Sequence, residues 1–274
     1  MEANLEEKYF RLKKCLAEMG SALVSYSGGV DSTLLLAVGS EVLGENLLAV
    51  TVDSPLNPRS MMDATSKMAA RLKVEHITIK TDELTDANFT SNPPERCYLC
   101  KHARFSKLVD IAAREGISEV LDGSQMNDVG DYRPGMDAVA ELSVRSPLLE
   151  MELYKFEIRA LSRELGLATW NTPGVTCLAT RIPYGQKITR EKLGVIEQCE
   201  EFLSDMGMKN ARLRFYDTGI ARIEVSPSGI PVLASDGVRE RVVDKLKALG
   251  FTYVTVDLAG YRTGSLNEVL PENR

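Results

Sequence analysis

Ala22-Leu23-Val24-Ser25-Tyr26-Ser27-Gly28-Gly29-Val30-Asp31-Ser32-Thr33 joins a short, apolar, β-prone run to a segment, Thr33 to Leu43, whose apolar residues recur at helical spacing. The glycines therefore fall at a strand-to-helix turn. Gly28 and Gly29 let the backbone turn sharply and come close to a ligand, and the first N–H groups of the new helix have no intrahelical partner. Together with the helix dipole they make a seat for phosphate. Ser27 and Ser32 add hydroxyl donors, whereas Asp31 repels phosphate unless it holds Mg²⁺ or orients a substrate group. The plain alternative is a Gly-Gly turn followed by a Ser/Asp helix cap.

The pattern S-G-G-x-D-S resembles the PP-loop of the ATP pyrophosphatases, which cleave ATP between its α and β phosphates and leave AMP on an acceptor. No Gly-Lys-Ser/Thr follows the glycines, so it is not a Walker A loop. Further along, strands over Leu47 to Val52, Val74 to Ile79 and Glu119 to Leu121 alternate with helices over 59–72 and from about Glu95. That alternation predicts a parallel sheet covered by helices, with ligands at the carboxyl ends of the strands. Asp53-Ser54-Pro55 follows the second strand at such an end, where adenosine contacts or an ordinary turn are both expected. An amphipathic helix over residues 4–19 precedes the unit and carries Cys15, read as a small buried hydrophobe. His76 falls in a predicted strand, where a packed or exposed side chain is the expectation.

The loop after the third of these strands, Asp122-Gly123-Ser124-Gln125-Met126-Asn127-Asp128-Val129-Gly130-Asp131-Tyr132-Arg133-Pro134-Gly135, is either a long turn or an imperfect form of the Gly-x-Asn-x-Asp-Asp element that PP-loop enzymes place beside the acceptor. The helix Lys155 to Leu165 closes the nucleotide domain, 1–170. An irregular joint, 171–188, carries Cys177. Residues 189–274 read as helix, two strands (211–216, 220–225), helix and strand, a compact α+β unit suggestive of a ferredoxin-like domain.

Composition narrows the function classes. The 274 residues are 44% hydrophobic and 26% charged, an ordinary globular balance. No run is long and apolar enough to span a bilayer and the first residues lack signal-peptide character, so the expected compartment is the cytoplasm. A net charge of −6 weighs against nucleic acid as partner. The five cysteines, Cys15, Cys97, Cys100, Cys177 and Cys199, are odd in number and point to metal or sulfur chemistry rather than disulfides. Cys97 and Cys100 would share one helical face. A lone C-x-x-C can be half a zinc site, a redox pair or part of an iron–sulfur site. No second C-x-x-C completes a closed zinc site, and with Cys177 three thiolates would leave one iron of a [4Fe–4S] cluster without a protein ligand. Near Cys177, Arg181 is placed to favour a thiolate. Arg212 and Arg214 flank Leu213 in a strand, so they share a face and could grip one anion, although paired arginines more often form a solvated face. Glu200 and Glu201 look like helix-surface charges.

Taken together, S-G-G-V-D-S, G-D-Y-R-P-G (Gly130 to Gly135), P-G-V-T-C-L-A-T-R (Pro173 to Arg181) and A-R-L-R…A-R-I-E-V (Ala211 to Val225) resemble the LarE family over nearly the whole chain. These are ATP-dependent sulfur-insertion enzymes of nickel-pincer nucleotide biosynthesis. The resemblance implies an adenine nucleotide alpha-hydrolase-like α/β domain with a smaller α+β C-terminal domain. It also implies AMP transfer to a carboxylate of pyridinium-3,5-biscarboxylate mononucleotide, then conversion to a thiocarboxylate. It assigns ATP to Ser25, Ser27, Gly28, Gly29, Val30, Asp31, Ser32, Asp53 and Gly123, and the substrate to Asp128, Asp131, Arg133, Arg181, Arg212 and Arg214. Cys177 matches the cysteine that one branch sacrifices, leaving dehydroalanine. The added Cys97 and Cys100 resemble the branch in which three cysteines hold a [4Fe–4S] cluster. Asp31 and Glu200 are implied as divalent-cation ligands, with Mg²⁺ accompanying ATP, and the family implies a homo-oligomer acting on a small nucleotide. Two other readings share these residues: a tRNA thiolase, which needs a salt-dependent nucleic-acid surface, and a non-catalytic iron–sulfur or zinc delivery protein.

Overall fold

A computed structural model describes residues 3–129, 134–172, 174, 176–262 and 264–270. The first part runs α1 (Ala3–Glu18), β1 (Ala22–Ser25), α2 (Val30–Leu43), β2 (Leu47–Asp53), α3 (Ser60–Arg71) and β3 (Glu75–Lys80). After α4 (Ala87–Thr90) come α5 (Arg96–Glu115), β4 (Glu119–Leu121), α6 (Gly135–Glu141), α7 (Pro147–Glu150) and α8 (Lys155–Glu164). The last part holds α9 (Arg190–Asp205), β5 (Arg212–Tyr216), β6 (Ile220–Glu224), α10 (Gly229–Ala234), α11 (Val238–Ala248) and β7 (Tyr253–Val256).

The described chain forms two compact units, Met1–Asp82 with Cys97–Val175, and Glu83–Arg96 with Thr176–Arg274. The excursion of Glu83–Arg96 into the second unit departs from a linear division at 170 and 188. Asn92 explains it: this fully buried residue donates from Nδ2 to the carbonyls of Ile182, Pro183 and Gln186 at 3.2, 2.7 and 3.0 Å. Its own carbonyl accepts from the Gly185 N–H, so segment 83–96 is fastened to loop 182–188.

In the first unit the strands are all parallel in the order β3-β2-β1-β4. Because strand side chains alternate, β1 and β2 send Ala22, Val24, Leu47 and Ala49 to a core shared with α1, α2 and α8. Leu23, Leu48 and Val50 go to the opposite face, against Phe105, Leu108 and Ile111 of α5. A sheet buried on both sides needs continuous apolar strands, which is how β2 reads. Chain order reverses at β1, whose neighbours are β2 on one side and β4 on the other. Ligands of such sheets collect at the carboxyl ends of those strands.

Two expectations are corrected. The second unit is a three-stranded sheet, β5-β6-β7, with β5–β6 antiparallel and β6–β7 parallel. A ferredoxin-like domain opens on a strand before its first helix; here α9 opens the run and β7 pairs directly with β6. Cys15 is half-buried rather than buried, with Sγ 3.3 Å from Arg145 Nη2 and 3.7 Å from Glu150 Oε2.

Candidate functional site

The glycine loop sits where its sequence predicts, between β1 and α2. Gly28 has φ +71°, a left-handed conformation, and a Cβ there would stand 2.8 Å from Thr65 Cγ2 on α3. Only glycine fits that turn without strain. Ser27 and Ser32 face each other across it, Oγ to Oγ 3.1 Å, and Ser32 Oγ donates to the Gly29 carbonyl. Val30 is the first residue of α2, and Ser25 the last of β1. Asp53 ends β2 on the same side of the sheet.

Gly123 follows β4 and abuts the loop. A Cβ on it would lie 3.3 Å from the Ser32 nitrogen and 3.4 Å from Asp31 Cβ. The close approach of two backbones at the switch point thus favours glycine here too. Beside it, buried Asp122 accepts from Ser146 Oγ at 2.6 Å, Ser124 Oγ at 2.6 Å and Lys101 Nζ at 3.3 Å.

Sequence reasoning missed Lys155. Its Nζ lies 2.5 Å from Asp31 Oδ2, and its backbone N–H donates to Asn127 Oδ1 at 2.8 Å. The available signal was a cation in the first turn of a helix, where the dipole disfavours it. Asp31 Oδ1 is buried and accepts no hydrogen bond among the described residues. A hard oxygen with an unused lone pair beside a phosphate seat suits Mg²⁺. Asp128, half-buried, accepts from the Gln125 N–H at 3.0 Å as part of a capping box. Asp131 and Arg133 lie outside the described residues.

Cys97 and Cys100 occupy the first turn of α5, exposed and half-buried, on one helical face as the spacing predicts. That turn is close to the site through Lys101, which reaches Asp122, and through Gly135, whose Cβ would stand 3.4 Å from the Cys97 carbonyl oxygen. Two thiols one turn apart can serve one metal centre. Cys177 belongs to the other compact unit, and among the described residues no group of three or more His, Cys, Asp or Glu side chains gathers as a metal site.

In the second unit, Arg181, Arg212 and Arg214 are 2%, 8% and 5% exposed, so the arginine pair is no solvated face. Arg214 makes a bidentate pair with Glu224 at 2.9 and 2.7 Å, and donates to the Thr180 carbonyl at 2.7 Å and Ser265 Oγ at 2.9 Å. Arg212 lies with its guanidinium 5.3 Å from the centre of the Tyr261 ring. Burial, and next the charge of Arg181, lowers its pKa. Glu200 is not an ordinary surface charge: it holds Arg181 at 2.9 and 2.8 Å and accepts the Leu213 N–H at 2.9 Å. No helix among the described residues is long and apolar enough to cross a membrane.

A glycine loop after β1, a strictly parallel sheet that reverses its order there, and a second glycine closing on the loop define a PP-loop nucleotide-binding α/β protein. No protein-family model matches the chain. It is 37% identical over 269 residues to the pyridinium-3,5-bisthiocarboxylic acid mononucleotide synthase of Lactiplantibacillus plantarum, covering 98% of this chain and 96% of the relative. An uncharacterized protein of Synechocystis is 40% identical over 267 residues, covering 97% and 99%. A glutamine-hydrolyzing GMP synthase of Aeropyrum pernix is 27% identical over 209 residues, 69% of this chain and 40% of the relative. The chain belongs to the LarE family, that of the pyridinium-3,5-bisthiocarboxylic acid mononucleotide synthases.

Proposed function

We propose that this chain adenylates a carboxylate of pyridinium-3,5-biscarboxylate mononucleotide with ATP and converts it to a thiocarboxylate. The observation that carries this reading is the likeness to the Lactiplantibacillus synthase along both chains, joined to a phosphate-ready loop in which Gly28 cannot be replaced without strain. A carboxylate oxygen of the substrate attacks the α-phosphorus and pyrophosphate leaves. A sulfur nucleophile then adds to the acyl carbon, AMP departs, and the C–O bond has been exchanged for C–S. Gly28, Gly29 and Ser32 hold the phosphates in line, and Asp31, with Lys155 beside it, would hold Mg²⁺, which neutralises phosphate charge when bound. Arg212, buried beside Arg181 and Arg214, supports a site for the substrate phosphate.

For the sulfur, Cys97, Cys100 and Cys177 would hold a [4Fe–4S] cluster, which would supply sulfide when bound. A C-x-x-C in the first turn of α5 supports it, because a single sacrificed cysteine gives no role to two more thiols. In the other reading the Cys177 thiolate forms the thioester, loss of the Cα proton breaks its Cβ–S bond, and dehydroalanine remains. A small nucleotide substrate, a cytoplasmic setting and a homo-oligomer complete the proposal.

The test is anaerobic reconstitution of wild type and Cys97→Ala with iron and sulfide, followed by intact mass after turnover with ATP and substrate. The expected result is substrate-dependent pyrophosphate release, an iron chromophore lost in the variant, and an unchanged wild-type mass. A protein lighter by one H₂S at Cys177 would move the sulfur source to that residue. Absence of substrate-dependent pyrophosphate would end the whole proposal.

A further inference from the structure

The Cys177 loop is held by a buried arginine in a way the phosphate-grip role does not explain. Arg181 Nη1 lies 3.1 Å from the Thr176 carbonyl, 2.5 Å from Thr176 Oγ1, 3.1 Å from the Cys177 carbonyl and 2.8 Å from Thr180 Oγ1. On its other edge Nε and Nη2 meet both oxygens of Glu200. The Cys177 carbonyl also accepts from the Thr180 N–H at 3.0 Å and Thr180 Oγ1 at 2.7 Å, so three donors converge on it. Arg214, fixed by Glu224, takes the Thr180 carbonyl.

We infer that Arg181, oriented by Glu200, is a positioning residue for Cys177. Each of its three guanidinium nitrogens is bonded within the protein, and at 2% exposure the group presents no face to a substrate anion. Its planar fork joins α9 to the two peptide units flanking the Cys177 Cα–Cβ bond, which fixes the direction in which the half-buried thiol leaves the backbone. A lysine offers one point of attachment and cannot span both edges. Glu200 is then the anchor of this clamp, which also ties the loop to β5 through Leu213. The inference rests on the proposed role of Cys177 only for its turnover readout; the loop geometry is read separately.

The test compares full-length wild type with Arg181→Lys, Glu200→Gln and Thr176→Val. Circular dichroism and thermal melts establish that each variant folds. Alkylation of Cys177 by iodoacetamide under chelator is followed by peptide mass spectrometry, with Cys97 in the same sample as reference. Pyrophosphate and thiocarboxylate are counted in parallel. The Cys177-to-Cys97 rate ratio is expected to rise about fivefold or more in Arg181→Lys and Glu200→Gln, because a loosened loop exposes the thiol. Thiocarboxylate formed per pyrophosphate falls at least about tenfold, as misplacement of a reacting group by an ångström demands. Thr176→Val, which removes one acceptor, moves both in the same direction by less, and decides the matter if the charged-pair variants fail to fold. An unchanged alkylation ratio in folded variants overturns the inference. So does a raised KM for the mononucleotide with the product ratio kept, the signature of an arginine that binds substrate. If wild type itself releases no substrate-dependent pyrophosphate, the proposed function fails while the alkylation comparison still judges the clamp.

Discussion

Gly28→Ala tests whether the glycine loop is built as described. At φ +71° a non-glycine residue pays about 1–2 kcal/mol for the left-handed conformation. The new methyl would lie 2.8 Å from Thr65 Cγ2. Thr65 cannot yield easily: it is fully buried on α3 and its Oγ1 donates to the Met62 carbonyl at 2.7 Å. Forcing a methyl into such a space costs roughly 1–3 kcal/mol more, for a total of about 2–5 kcal/mol. Thr65→Ser removes the opposing methyl and keeps the hydroxyl. In that background Gly28→Ala should cost only the conformational part, about 1–2 kcal/mol, leaving a coupling of about 1–3 kcal/mol. Trp170, the sole tryptophan, lies in the first unit and reports urea unfolding of that unit by fluorescence. Additivity of the two substitutions within about 0.5 kcal/mol would refute the contact. A Gly28→Ala protein as stable as wild type would refute the turn itself.

Two further outcomes are expected. Lys155→Gln should lower the rate of pyrophosphate release by about tenfold or more, since a cation within reach of Asp31 and the phosphate seat is lost, yet leave the urea midpoint nearly unchanged because the pair is partly exposed; an unaltered rate removes Lys155 from the site. Burial pushes the Cys199 thiol up to about 12 from its usual 9.0. Above pH 9 the unfolded chain has released a proton that the folded chain keeps, so stability falls as pH rises from 9 through about 12. Unfolding followed by circular dichroism at pH 8 and pH 10 should show that loss, and Cys199→Ala should reduce it; equal pH slopes in both proteins would sink the assignment.

The nucleotide loop was legible because every cause of it is local: an apolar strand, two glycines and a helix start lie within a dozen residues. The central strands β1 and β2 were legible for a similar reason, since burial on both faces leaves a continuous apolar run inside each. What escaped was pairing at a distance. Whether β7 lies beside β6 or across an intervening strand is set by topology, and α+β segments of either kind read alike. The return of Glu83–Arg96 to the second unit depends on Asn92, whose partners are some ninety residues away.

Arginines 181, 212 and 214 show the same boundary at the level of chemistry. Spacing placed Arg212 and Arg214 on one face of a strand correctly, but the meaning of that face depends on what opposes it. In the antiparallel register Arg212 stands opposite Glu224, yet the side chain of Glu224 closes on Arg214 and accepts from Arg222 as well. Arg181 sits four residues from Cys177, and its guanidinium reaches the carbonyl of that residue while Glu200 holds the other edge. Arg181 and Arg214 each have a carboxylate, Glu200 and Glu224, and breaking such a buried pair costs about 3–5 kcal/mol. Three buried arginines crowded around one cysteine loop, two of them bound to buried or nearly buried glutamates, therefore divide their work. Arg181 and Arg214 each spend their guanidinium on a glutamate and on the loop's carbonyls, whereas burial first, and the charge of Arg181 next, lowers the pKa of Arg212.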